Sequence, residues 1–209
     1  MIHSKSYKII EMLLLFILIP VSYFFTYSPI VKISIGVVGF MYALFVLAKI
    51  EKQKFSISKQ LSWQNFWKTT ALKLLVIAII TIFFVWFTGK ENLFLVVINK
   101  PKMWLVILFF YSLFSVYPQE LIYRTFFFER YKNLFTNHIF LMVVNAFLFC
   151  LGHLFFKNTL VLVITFIGGI IFAITYQKTN STLLVSIEHA IYGCWLFTVG
   201  MGGMLGFPS

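Results

Sequence analysis

The sequence predicts an all-α protein, a polytopic transmembrane helix bundle of about seven spans. Two observations predict it. The chain is 61% hydrophobic and only 11% charged, with a mean hydropathy of +0.94, whereas a soluble domain is about 45–50% apolar and about 25% charged. Its apolar residues also come in uninterrupted runs, such as Leu13-Leu14-Leu15-Phe16-Ile17-Leu18-Ile19 and Leu74-Leu75-Val76-Ile77-Ala78-Ile79-Ile80. A hydrocarbon core needs about 20 such residues per helical span. A membrane β-barrel would alternate apolar and polar residues in segments about half that length.

The spans read in order as roughly 9–27, 30–48, 69–88, a fourth from near Trp104 running on towards Tyr131, then roughly 137–156, 159–176 and 181–200. Residues 1–103 form an N-terminal transmembrane scaffold, and 104–209 a region that carries the polar chemistry. The first span is no signal peptide by its pattern, because bulky Tyr23-Phe24-Phe25 stands where a cleavage site would need small residues. Cys150 and Cys194 fall inside spans and read as two buried structural thiols with no disulfide framework. Gly168-Gly169 is a small-residue patch that admits a close neighbouring helix. The glycine-rich tail from Gly200 to Gly206 is expected to fold back at the membrane surface.

The net charge of +11 does not signal nucleic acid, because the positive charges sit between the apolar runs. The segment 49–68 carries Lys49, Lys52, Lys54, Lys59 and Lys68 against Glu51 alone. Basic loops stay in the cytoplasm, which puts the N-terminus, Arg130, Lys132 and Lys178 inside and the C-terminus outside. The loop with Lys90, Lys100 and Lys102 runs against that trend.

The two regions differ in polarity at membrane depth. Spans one to three carry almost no polar groups at membrane depth except Lys73, near one end and free to snorkel. From about Tyr111 onward come Gln119, Glu120, Arg124, Asn145, His153, Glu188 and His189. An ionisable group in the bilayer costs about 2.5–3.5 kcal/mol on insertion scales and is functional by default. The chain has no Asp and six Glu, of which Glu11, Glu51, Glu91 and Glu129 read as loop or span-end residues. That leaves Glu120 and Glu188 as the carboxylates for intramembrane chemistry.

Three clusters stand out. In Pro118-Gln119-Glu120-Leu121-Ile122-Tyr123-Arg124, Glu120 and Arg124 share a helix face. They form either a neutralising ion pair or a carboxylate fixed for catalysis. In Phe149-Cys150-Leu151-Gly152-His153, the histidine is either a packed core residue or a site residue. In Ser186-Ile187-Glu188-His189-Ala190-Ile191-Tyr192-Gly193, Glu188 and His189 diverge by about 100°, so one faces the site and the other a neighbouring helix. Glu120, His153 and His189 could hold a divalent metal such as zinc with an open position. Equally, the carboxylate could serve as base to a water while a histidine steadies the oxyanion, with no cofactor required. No His-Glu-x-x-His, Gly-x-Ser-x-Gly or Walker motif is present.

The three clusters, in this order and on separate spans, resemble the CAAX-protease and bacteriocin-processing family of intramembrane proteases, also called the Abi family, with the type II CAAX prenyl endopeptidases as eukaryotic relatives. The family pattern is Glu-Glu-x-x-x-Arg, then Phe-x-x-x-His, then His-x-x-x-Asn or a variant of it. Its counterparts here are Gln119-Glu120 to Arg124, Phe149 to His153, and His189 to Gly193. Arg124-Thr125-Phe126-Phe127-Phe128-Glu129-Arg130-Tyr131, and Glu188-His189-Ala190 followed by Trp195-Leu196-Phe197, are similar to bacterial members.

The resemblance covers roughly 111–205. It implies an endopeptidase in the bacterial cytoplasmic membrane, acting on a membrane-embedded or lipid-associated peptide or protein. It also implies that a motif-one Glu and the motif-two His position the attacking water, while the motif-three His and Asn stabilise the oxyanion. Metal-dependent and metal-free glutamate mechanisms are both open. Two positions depart from the pattern: Gln119 stands for the first Glu, and Gly193 for the Asn. Glu120 therefore takes over as base, or activity is slow, or the chain is a catalytically impaired relative that binds a membrane partner as an immunity or secretion accessory. A small transporter is the third class. Simple counting also places Glu120 and His153 late in antiparallel spans, hence at different depths unless the fourth helix runs on to Tyr131.

Overall fold

The computed structural model describes residues 2–53 and 61–206, excluding the side chain of Leu205, and the described residues form an all-α polytopic bundle. Helix α1 runs without a break through Lys5–Leu13, a π-helical turn at Leu14–Leu18, and Ile19–Ser22. Six further helices are long and apolar enough to cross a membrane: α2 (Pro29–Ile50), α3 (Trp63–Asn92), α4 (Pro101–Leu134), α5 (His138–Phe156), α6 (Thr159–Thr179) and α7 (Thr182–Val199). The expected first span is thus a helix, but its charges Lys5, Lys8 and Glu11 set it apart from the other six. Lys54 and Lys59 of the basic loop lie outside the described residues.

Local sequence starts the helices. Ser62, Asn137, Asn158 and Ser181 each accept hydrogen bonds from the first free backbone N–H groups of α3, α5, α6 and α7. Asn180, in the left-handed region at φ 50°, makes the tight turn from α6 into α7. The exterior is apolar, with Phe87 81%, Ile30 75% and Ile139 68% exposed. Lipid gives no hydrophobic drive to bring helices together, so close packing and polar contacts must do it.

Gly169 supplies such packing. A Cβ there would stand 2.9 Å from the Cα of Ala146 on α5, whereas at Gly168 it would meet only the edge of the Phe172 ring, at 3.3 Å. Gly169→Val is therefore expected to prise α5 from α6 and cost about 1–3 kcal/mol. Gly168→Ala should be near neutral. Denaturant unfolding in mixed micelles measures both, and equal effects would refute this view of the contact.

Polar contacts join the two regions of the chain at one membrane face. Arg130 on α4 is fully buried and donates to Glu11 of α1 at 2.8 Å, to Glu51 at the end of α2 at 2.8 Å, and to the Ile2 carbonyl at 2.8 Å. Tyr131 and Tyr42 donate to the same Glu11 carboxylate, and Lys8 to the Arg130 carbonyl. Glu11, read as a loop or span-end residue, lies in the first part of α1 and is buried. At the opposite face Gly200 lies against the Asn92 carbonyl, and a 3-10 turn, Gly202–Leu205, brings Gly206 beside Phe156. The tail folds back as its glycines suggested. Both cysteines are free but only half-buried, less enclosed than the sequence implied.

Candidate active site

Helix α4 is longer than expected, and its length answers the question of depth. Glu120 stands fourteen residues before Leu134, and His153 fifteen after His138, measured from the two sides of one short connection. Both residues therefore lie at about the same level. His189 reaches that level because α7 begins deep, with Thr182 hydrogen-bonded to Thr125 of α4.

Glu120 is fully buried at the centre of the cluster. Its Oε1 lies 2.7 Å from His189 Nδ1. Its Oε2 lies 3.2 Å from Arg124 Nε, close enough to pair as charges but off the angle of a hydrogen bond. Arg124, also fully buried, donates to Asn145 Oδ1 at 2.6 Å and lies 4.7 Å above the Phe149 ring. Asn145 in turn donates to the Tyr123 carbonyl at 2.6 Å. The Glu120–Arg124 pair is thus both a neutralising pair and a brace for the carboxylate.

Phe149 separates the two imidazoles, with ring centroids 4.7 Å from His153 and 5.8 Å from His189. His153 Nδ1 lies 2.8 Å from the Phe149 carbonyl, so it carries the proton and leaves Nε2 as acceptor. Phe172 stacks on His189 at 4.3 Å. The second nitrogen of His189, Nε2, lies 3.2 Å from the Tyr111 hydroxyl.

Tyr111 and Glu120 are nine residues apart, so a regular helix would aim them in opposite directions. The π-helical turn Tyr111–Val116 lies between them and unwinds that phase, and a second, Leu121–Phe126, follows Glu120. π-bulges of this kind are frequent at functional sites.

Two predicted residues look elsewhere. Gln119 donates to Ser115 at 2.8 Å, and its Oε1 is buried without a protein partner. Glu188 turns away to α3, where Lys73 approaches at 2.7 Å and Tyr192 donates at 2.8 Å. Lys73 therefore does not snorkel freely: it also donates to Thr175 at 3.4 Å and joins scaffold to site.

The donor set does not fit a metal held by Glu120, His153 and His189. Both oxygens of Glu120 and both nitrogens of His189 already face other groups, and a metal would have to break one of those contacts to gain a ligand. Among the described residues no three His, Cys, Asp or Glu side chains converge as ligands.

Sequence reasoning missed Tyr111, hidden in the aromatic run Phe109-Phe110-Tyr111. The available signal was Gly193, one turn beyond His189: a Cβ there would overlap the Tyr111 phenol. A groove of about 530 Å³ between α1 and α2, lined by Tyr7, Glu11, Tyr42 and aliphatic side chains, includes none of the candidate site residues.

No curated protein and no solved structure matches the chain. A family model does: Type II CAAX prenyl endopeptidase Rce1-like, over residues 101–195. The matched stretch runs from the start of α4 into α7 and holds Gln119, Glu120, Arg124, Phe149, His153, Glu188 and His189. With apolar membrane-crossing helices throughout, the chain is an integral membrane protein, and the stretch that carries the cluster is similar to the type II CAAX prenyl endopeptidases of the CAAX-protease family.

Proposed function

We propose that the chain is an intramembrane endopeptidase, hydrolysing a peptide bond of a membrane-embedded or lipid-associated protein or peptide with a water activated by His189 and Glu120. The observation that carries this reading is the 2.7 Å contact between Glu120 Oε1 and His189 Nδ1. A carboxylate only accepts, so the proton sits on Nδ1 and the lone pair on Nε2. A buried carboxylate that holds an imidazole in this tautomer makes Nε2 a general base and steadies the imidazolium that forms. Glu120 orients, and His189 takes the water's proton. That division of labour suits a chain with Gln119 where a second carboxylate would stand, since an amide is no base at neutral pH. His153, anchored through Nδ1, offers its Nε2 to hold the water or the leaving amine. The face carrying Lys8, Arg130 and Lys132 is read as cytoplasmic, by the excess of basic residues there.

A second reading rests on Gln119 and on the enclosure of Glu120 by Arg124 and His189. In it the chain binds a membrane partner and cleaves nothing.

The test places the purified protein in lipid vesicles with a pool of transmembrane and lipid-anchored peptides of varied sequence, in ¹⁸O-labelled water. Mass spectrometry then seeks new C-termini carrying ¹⁸O. The wild type should generate them and His189→Ala should not. Indistinguishable products from the two would end the hydrolase reading in favour of partner binding.

A further inference from the structure

We propose that the Tyr111 hydroxyl is the hydrogen-bond donor to the oxyanion in this hydrolysis, and that glycine at position 193 exists to admit it; the proposal rests on the endopeptidase reading. Two observations place the phenol. Its oxygen is 3.2 Å from His189 Nε2, the nitrogen left unprotonated by the Glu120 contact. The ring then fills the space that any side chain at Gly193 would occupy, and packs edge-on against Phe197 at 4.8 Å between centroids. The hydroxyl is thereby held at the one atom through which a proton must pass.

The chemistry follows from that position. At rest, Tyr111 O–H donates to the Nε2 lone pair, because Nε2 has no proton to give. In the reaction a water displaces that contact, its oxygen bonds to the scissile carbonyl carbon, and one of its protons moves to Nε2. The carbonyl π pair moves onto oxygen, which becomes an oxyanion. Protonated Nε2 no longer accepts, so the phenolic O–H is released to donate to that oxyanion just as its charge develops. Collapse returns the electron pair, breaks the C–N bond and passes the Nε2 proton to the departing amine. The phenol stays neutral throughout, and no other reactant is needed.

A donor that acts only on the developing charge should appear in kcat and not in KM. Tyr111→Phe keeps the ring and its packing on Phe197 and removes only the donor. With a cleaved peptide from the pool resynthesised as substrate, kcat should fall about 10²–10³-fold with KM unchanged. The reciprocal variant is Tyr111→Ala combined with Gly193→Asn. Removing the ring makes room at position 193 for an amide N–H donor, and part of the lost kcat should return, which a mere packing role would not allow. Binding of a peptide aldehyde, whose hydrate is tetrahedral, is measured in parallel on wild type and Tyr111→Phe and should weaken in the variant.

Tyr111→Phe cleaving as well as or faster than wild type would overturn the donor assignment and leave the hydrolase reading intact. If the wild type cleaves nothing, the hydrolase reading fails and the aldehyde decides Tyr111. Weaker binding to Tyr111→Phe upholds a donor to a tetrahedral ligand. Equal or absent binding ends the proposal.

Discussion

Glu120→Gln is expected to reduce peptide hydrolysis about 10⁴-fold while the protein still assembles in the membrane. The magnitude is that of replacing the carboxylate of a carboxylate–imidazole pair by an isosteric amide, which leaves the geometry and loses the tautomer. Here the amide could present its N–H₂ to Nδ1 and force the proton onto Nε2, the atom that must receive it from water. A confounding effect is Arg124, fully buried and then without its counter-charge. Losing one partner of a buried pair costs about 3–5 kcal/mol. Arg124→Met in the Glu120→Gln background removes the stranded cation. The double variant should regain stability in a denaturant titration and remain inactive. Recovery of both stability and activity would mean that Glu120 matters only as a counter-ion.

The second large effect is on folding. Arg130→Met should destabilise the protein by about 3 kcal/mol, the low end for breaking a buried pair, since the cluster lies near the end of α4. The Glu11 carboxylate would keep its two tyrosine hydroxyls and lose its cation. Helix α1 should suffer first, because Arg130 holds both its Glu11 and the Ile2 carbonyl of the segment leading into it. Hydrogen exchange of residues in Lys5–Leu13, compared between wild type and variant, reads this directly. Unchanged protection of α1 with global loss elsewhere would contradict it. Glu11→Gln added to Arg130→Met should restore part of the stability by removing the orphaned charge.

Much of this architecture could be read from the sequence because apolar run length is a local property. The boundaries of α5, α6 and α7 fall near the predicted limits, and Gly169 marks a real close approach. What escaped was non-local. Glu11 read only as a loop or span-end residue because its neutralising arginine is more than a hundred positions away. Lys73 looked free to snorkel for the same reason, its acid lying on the last helix. The three motifs gave the residues that gather around Phe149, but not the pairing within them. Spacing alone cannot say that Glu120 would face His189 instead of His153, nor that Gln119 would turn to Ser115. The depth mismatch came from counting α4 as a span of ordinary length, when it runs on to Leu134 and leaves Glu120 about as far from the α4–α5 connection as His153.

The π-helical turn between Tyr111 and Glu120 makes this part of α4 a spacer of fixed phase that takes up one extra residue. Substitutions within it change one side chain and leave the others pointing where they were. Straightening the turn into a regular helix with no change in length would rotate everything on one side of it by about 100° relative to the other. Tyr111 and Glu120 could then no longer hold opposite nitrogens of the same imidazole. Losing one residue there and returning to a regular helix should keep Tyr111 and Glu120 on nearly the same bearing, since eight regular steps turn them by about 80°, whereas a further insertion or deletion should separate them.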